Sequence, residues 1–463
     1  MKIPPSAFIL SLVIISCSAS LVLAQTPAPT PAAPAAPPPT PPAGAAAPLA
    51  GRAPIAGRVL TLDECIAIAL EAQPRIQATL YDYAAARYRV NEAFAPLLPQ
   101  LTGAATATRS RSVSLVTSTT TGITSQSVSS KQLADTFFAQ VQLSQLLFDF
   151  GKTLAATEAA RKPAEVAVEN IELQRQLIAL AVKEAYTNTL FAQRLIKVTE
   201  QALERADLNL RSAKGFFEVG TRPKSDVARA EVDVANAKLD LIRAKNALRT
   251  ALVALNTAMA IDVDTPTQIA DNLIFEAVSI DRQAQRAEAL KNRPEYRQAL
   301  LQVGAAQATE RQTFRGFFPD ISGIGSYGGG QPQLNESWTL GLAFTWTLFD
   351  GGGRISRYQE AKASLQAAKA RVQSTELDII QNVEQSEIAV EEAQERIQAA
   401  QALVASAQEN FRLAQGRFDA GVGTILELTD AQLALTQAQN TEAQALADYR
   451  IALARLDRAV GRR

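Results

Sequence analysis

Leu147-Phe148-Asp149-Phe150-Gly151 and Leu348-Phe349-Asp350-Gly351-Gly352 are two writings of one motif, each closing a strand-like segment and opening a very long helical one. They stand 201 residues apart, and the same 201 separates Gly215 from Gly416, Phe217 from Phe418 and Gly220 from Gly421. Upstream, Pro74 and Pro99 match Pro294 and Pro319 at an offset of 220. The 19-residue difference falls between the anchors, which predicts a longer connection inside the first strand pair. A repeated unit of strand pair plus long helices predicts one structure built from two halves, not a string of unrelated domains.

Composition narrows the function. Basic and acidic residues balance at 46 each with no long basic block, which argues against a nucleic-acid surface or a polybasic anchor. Histidine is absent, removing the commonest general base and metal ligand. Two cysteines, Cys17 and Cys65, cannot form a thiolate cluster. No nucleophile-base pair stands out, so neither an enzyme nor a cofactor or metal site is expected. Gly323-Ile324-Gly325-Ser326-Tyr327-Gly328 matches a dinucleotide fingerprint, but a strand follows where a helix is required.

Residues 1–24 carry Lys2 and an apolar run ending at Leu21-Val22-Leu23-Ala24, which predicts a signal peptide cleaved before Gln25. Ile14-Ile15-Ser16-Cys17 keeps open a lipoprotein alternative; either way the chain is exported. Residues 25–58 hold half of the 22 prolines and read as an extended tether. Beyond it come a first repeat at 59–261, a connector at 262–278 and a second repeat at 279–463.

Thr61 is the expected cap of a helix opening Leu62-Asp63-Glu64. Further on, Val227, Val234, Leu241, Leu248 and Leu255 recur every seven residues, with Ala230, Ala237, Ala244, Ala251 and Ala258 three positions later. The second copy repeats this with Leu428, Leu435, Glu442, Tyr449 and Leu456 and with Ala431, Ala438, Ala445, Ala452 and Ala459. A large residue at one seam position and alanine at the other defines a coiled-coil face that admits close helix approach. The step from Ile379 to Val383 is a stutter, which straightens the supercoil. Helices of about 60 residues would reach roughly 90 Å. Pro163 is expected to kink the first; its counterpart Ser364 is not.

Trp338 to Leu348 alternates without fault: Trp338, Leu340, Leu342, Phe344 and Trp346 share one face, Thr339, Gly341, Ala343, Thr345 and Thr347 the other. That pattern fits a membrane barrel strand with its apolar side toward lipid. Weaker strands are read at 99–117, 136–148 and 319–328, with Arg109 and Arg111 on the otherwise apolar face of the first. Loops are expected near 116–135 and 329–336. Four strands cannot close a barrel in lipid, where open edges are not tolerated, so several copies must share one. The fold class expected is mainly α with a small membrane β-barrel, four strands per chain. The rival reading is an exported structural or adhesive coiled coil without a pore.

Over nearly all of residues 59–463 the chain resembles the TolC-type outer-membrane efflux family. The resemblance is carried by Leu62–Leu70 with Pro74, by the Pro99 and Pro319 strand entries, by both Leu-Phe-Asp motifs, and most specifically by Gly215–Ala230 and Gly416–Ala431. It implies a homotrimer with a twelve-stranded outer-membrane barrel above a periplasmic helical tunnel. The tunnel's tip would dock on the periplasmic adaptor of an inner-membrane pump. Val219, Gly220, Thr221, Gly421 and Val422 would then form the docking tips. Glu427 and Asp430 match the acidic ring at the tunnel entrance; taken without the resemblance, two acids in a helix's first turn read first as helix-dipole partners, and the family match reverses that preference. Asp226 matches a gating aspartate, but the family's tyrosine and arginine positions are Phe418 and Gly423 here. Arg222 is the expected replacement, reaching Glu427 or Asp430 to hold the entrance shut.

Overall fold

The computed structural model describes residues 57–120, 123–278, 281–331 and 335–462, with side chains outside 112–132. The expected signal peptide, Cys17 and almost all of the tether lie outside the described residues. After a short β1 (Val59–Leu60) come α1 (Leu62–Ala72) and α2 (Pro74–Phe94). Thr61 closes a capping box at α1: its hydroxyl accepts from the Glu64 N–H at 3.4 Å and its own N–H donates to the Glu64 carboxylate at 2.9 Å. Gln73 is pushed into extended backbone by Pro74, which separates the two helices.

β2 (Gln100–Thr120) and β3 (Ile123–Phe148) form the first hairpin, followed by α3 (Lys152–Glu218), α4 (Lys224–Ala258) and a short β4 (Gln268–Ile269) that pairs in parallel with β1. The pattern then repeats as α5 (Arg282–Asn292), α6 (Pro294–Arg315), β5 (Asp320–Gln331), β6 (Asn335–Thr345), α7 (Gly353–Asp419) and α8 (Ile425–Val460). The four long strands make one antiparallel sheet in the order β2-β3-β5-β6. The glycine-rich Gly323–Gly328 segment is strand throughout, in β5.

Three expectations need correction. Residues 116–135 are not a loop: β2 and β3 pair as far as Thr120 opposite Ile123, so the first copy's excess length is strand. β5 and β6 likewise run further toward each other than expected, to Gln331 and from Asn335. At the other end β6 stops at Thr345, and Trp346 lies beyond it with its indole N–H donating to the Phe317 carbonyl at 3.1 Å.

The two Leu-Phe-Asp motifs are strand-to-helix elbows. Asp149 accepts from the N–H groups of Gly151 at 2.9 Å and Thr153 at 2.6 Å; Asp350 accepts from Arg354 at 2.9 Å. Each carboxylate thus satisfies first-turn donors of the long helix that follows. The reversal needs left-handed backbone at Phe150 and Gly151, and at Gly351 and Gly352 in the second copy. Phe150 tolerates that conformation while stacked on Phe318 at 5.0 Å.

α3 and α7 each run 67 residues, roughly 100 Å at 1.5 Å per residue. Pro163 lies inside an unbroken α3. The alanine seam faces inward: Leu428, Ala431, Leu435, Ala438, Ala445, Tyr449, Ala452, Leu456 and Ala459 of α8 are all buried. On α4 only one stripe is covered, including Ala230, Val234, Ala244 and Leu255, while Val232, Leu239, Ile242 and Val253 are exposed. The largest apolar cluster joins all four long helices to α1, around Tyr186, Leu190, Leu255, Val390, Ile397 and Tyr449. Cys65 sits inside it, and burial pushes its thiol up to about 12, so it is an inert core group.

Candidate functional site

The α3–α4 and α7–α8 turns are built alike. Gly220 and Gly421 hold φ of +76° and +78° directly after the helix ends. In the first turn Gly220 N–H donates to Phe217 at 2.9 Å and Thr221 N–H to Phe216 at 3.0 Å; in the second Gly421 donates to Phe418 at 3.0 Å and Val422 to Arg417 at 3.1 Å. These paired bonds to the last helical carbonyls form a Schellman-type stop, in which a left-handed residue favours glycine. Val219 and Val422 project outward, 75% and 71% exposed, so each turn presents a small apolar point.

Arg222 ties the two turns together. Its guanidinium donates to the Gly423 carbonyl at 2.6 Å and the Phe418 carbonyl at 3.4 Å, both in the second turn. It lies 4.3 Å from the Phe418 ring centroid and 5.7 Å from that of Phe216, and those rings meet edge to face at 5.7 Å. Asp226 stands one helical turn on, 3.5 Å from the guanidinium. Arg222 therefore does not reach Glu427 or Asp430, as the sequence led us to expect. Gly423 explains part of this: a Cβ there would meet Arg417 and Phe418 at 3.0 Å, so the close approach of its backbone depends on the missing side chain.

Glu427 instead faces Arg417 at 3.5 Å, and its N–H donates to the Thr424 cap at 3.2 Å. Asp430, one turn later on the exposed side of α8, has no ion-pair or hydrogen-bond partner among the described residues. Phe216, Arg417 and the two accepting carbonyls escaped the sequence reading. The 201-residue repeat matches Phe418 with Phe217, whereas the ring that meets it belongs to Phe216.

In the sheet, register sorts most side chains by face, with Phe138, Leu146 and Ile324 as apolar exceptions on the polar side. Leu101, Leu143, Gly325 and Leu340 lie across from one another, as do Gly103, Val141, Tyr327 and Trp338 within successive pairs. Trp338, Leu340, Leu342 and Phe344 are 63–81% exposed and share that face. The opposite face carries Thr102, Thr106, Gln140, Gln142, Ser144, Ser322, Ser326 and Thr339. Trp346, outside the strand, is 53% exposed. No helix among the described residues is long and apolar enough to cross a membrane, and no group of acidic or cysteine residues there could hold a metal ion.

The family profile of outer membrane efflux proteins matches residues 65–260 and 286–462, both repeats with their elbows and turns. The chain belongs to the outer membrane efflux protein family. It is 25% identical over 416 residues to the outer membrane protein TolC of Escherichia coli K12, covering 84% of this chain and 79% of TolC. Nodulation protein T of Rhizobium leguminosarum bv. trifolii is also 25% identical, over 342 residues, covering 71% of this chain and 72% of that protein. The Campylobacter jejuni CmeC outer membrane channel has the same fold, with a TM-score of 0.73 at 19% identity, covering 86% of this chain and 85% of CmeC. As an efflux-family member the chain is a mostly helical transport protein, and its paired turns are the helical ends farthest from the strand hairpins.

Proposed function

We propose that three copies of this chain form an outer-membrane exit duct for a tripartite efflux or type I secretion system. In this reading residues 1–24 are the export signal, 25–58 a tether, and 59–261 and 279–463 the two repeats joined by 262–278. The observation that carries it is the union of two unlike parts. An open four-stranded sheet, mostly apolar on one side and mostly polar on the other, continues directly into helices of 67 residues. A sheet with two free edges cannot sit in lipid, whereas three such sheets close into twelve strands around a polar lumen. Trp338, Leu340, Leu342 and Phe344 then face lipid, with Trp346 at the inner boundary.

The helices would project into the periplasm as the tunnel. Val219, Gly220, Thr221, Gly421 and Val422 would meet the adaptor of an inner-membrane pump, because small residues and stopped helices expose backbone there. Glu427 and Asp430 of three subunits would ring the entrance and favour cations. Arg222 and Asp226 would hold the two tips of each subunit together. The chain performs no chemistry in this scheme; it conducts.

Purified protein reconstituted in planar bilayers should give discrete conductance steps with cation preference. In Glu427→Ala/Asp430→Ala that preference should fall while trimer assembly persists. A detergent-stable trimer with no conductance at any voltage would leave only a structural role.

A further inference from the structure

β2 and β6 are the two edges of the sheet, and the register inside one copy restricts how they can join between copies. That restriction holds for the trimeric barrel proposed above. A one-residue slip would turn every side chain to the wrong face, so only even staggers keep the apolar faces of β2 and β6 together. The side-by-side pairs run from Leu101 to Leu143, then Gly325, then Leu340. The next partner lies on β2 of the neighbouring subunit, and how far it stands above Leu101 fixes the tilt of a closed barrel.

For three subunits, with strands about 4.8 Å apart and about 3.3 Å rise per residue, a landing on Gly103 gives a tilt of roughly 19° and on Ala105 roughly 35°. Landing on Ala107 gives roughly 46°, and on Arg109 roughly 54°. Membrane barrels tilt by about 35–45°, which leaves Ala105 and Ala107. Side-chain chemistry separates these. With Leu340 opposite Ala107, Leu342 meets Ala105 and Phe344 meets Gly103, a large residue against a small one at each step. On the lumen side Thr102 meets Thr345, Thr108 meets Thr339 and Ser110 meets Ser337. With Leu340 opposite Ala105, Phe344 instead meets the large Leu101.

The same register pairs the charges. Arg109 already has Asp135 at 3.2 Å, and it would lie over Trp338 of the neighbour. Arg111 is exposed and has no partner among the described residues, and it would meet Glu336, which accepts from the Tyr327 hydroxyl at 2.6 Å. We propose that β6 of one subunit pairs with β2 of the next with Leu340 opposite Ala107, and that Glu336 and Arg111 close the seam at its outer end.

Cysteine pairs test the register with Cys65 changed to Ser. Directly opposed positions fall within disulfide reach, while diagonal ones about 7–8 Å apart do not. Thr108→Cys/Thr339→Cys should give disulfide-linked dimers and trimers on boiled non-reducing gels, at least about fivefold more than Thr106→Cys/Thr339→Cys. Predominant linkage through Thr106 would overturn the register in favour of the shallower barrel. No linkage by either pair, in a protein that light scattering shows to be trimeric, would overturn the β2–β6 seam. A monomer in every membrane-like detergent would instead defeat the trimeric reading on which it rests. Glu336→Arg should lower the temperature at which the trimer dissociates, and Arg111→Glu/Glu336→Arg should recover it; a swap that recovers nothing removes the ion pair.

Discussion

Arg222 spends its hydrogen bonds on backbone carbonyls of Gly423 and Phe418, and that is why the sequence misdirected it. A carbonyl leaves no trace in the residue string, whereas Glu427 and Asp430 are conspicuous. The position was legible and its partner was not. Removing the guanidinium leaves the Phe216–Phe418 contact but breaks the bridge between the turns. Arg222→Ala is therefore expected to raise single-channel conductance severalfold with trimer assembly intact. Arg222→Lys should restore it only in part, because an ammonium lacks the planar fork that spans two acceptors and a ring. Unchanged conductance in Arg222→Ala would separate this contact from gating. Glu387 poses a second residue-level problem. It is fully buried in α7, and neither carboxylate oxygen has a hydrogen-bond partner. Burial raises its pKa; Arg282 and Arg286 pull it down, while Glu391 and Asp281 push it up. A folded pKa above the unfolded one means that stability is complete below the ordinary carboxyl range and is lost as pH rises through the folded value. Glu387→Gln should thus stabilise the protein by about 1–3 kcal/mol near neutral pH, read as a higher thermal midpoint. The gain should shrink toward pH 4, and a gain independent of pH would point to packing instead.

Among elements, the helices were the most legible because their seams combine a period with a size rule. The alternation of large residues and alanine marks the buried faces of α4 and α8. It works because buried alanines such as Ala438, Ala445 and Ala452 leave room for a neighbouring helix to approach. Ala445 is 1% exposed, so Ala445→Leu should overpack the seam, at a cost of about 1–3 kcal/mol seen in chemical denaturation of the detergent-solubilised protein. The strands were less legible. Beyond Phe137 opposite Gln331, β3 no longer pairs with β5, and only the β2–β3 ribbon continues. A ribbon with no core to cover has no reason to alternate, and Ser-Thr-rich sequence there reads equally as a loop. β6 shows the reverse effect. Its alternation runs through Trp346 and Leu348, but pairing ends at Thr345, opposite Asp320, where β5 begins. Periodicity reported the face correctly and overran the hydrogen bonding.

At the scale of the molecule the two helical hairpins meet in two different ways along their length. Around Tyr186, Leu190, Val390, Ile397 and Tyr449 the joint is apolar and continuous. Toward the turns it becomes a polar ladder: Asn209 donates to Gln432 at 2.7 Å, Gln432 to the Ala202 carbonyl at 3.1 Å, and Thr429 to Asp233 at 2.9 Å. Arg205 reaches Thr436 at 3.5 Å and Gln439 at 3.4 Å, long bonds of little strength. A cavity of about 540 Å³ opens beside the ladder, lined by Asn236, Asp240, Arg243 and Asn440 among others. Polar groups of this kind exchange partners with water at small net cost, whereas parting an apolar core costs the full burial energy. The hairpins should therefore separate first along the ladder, with the small Phe216–Phe418 contact left to part at the turns, while the larger apolar joint acts as the hinge. The side-chain tips of Asn209 and Gln432 meet at 2.7 Å, so thiols in Asn209→Cys/Gln432→Cys stand within the span of a short bis-methanethiosulfonate reagent, which can bolt the ladder. Joined in this way the variant should keep the conductance of the unaltered protein even when Arg222→Ala is added, and dithiothreitol, which cleaves the link, should release the rise in conductance. If the linked triple variant conducts as freely as Arg222→Ala alone, the hairpins do not part along this ladder, and the opening must occur between subunits.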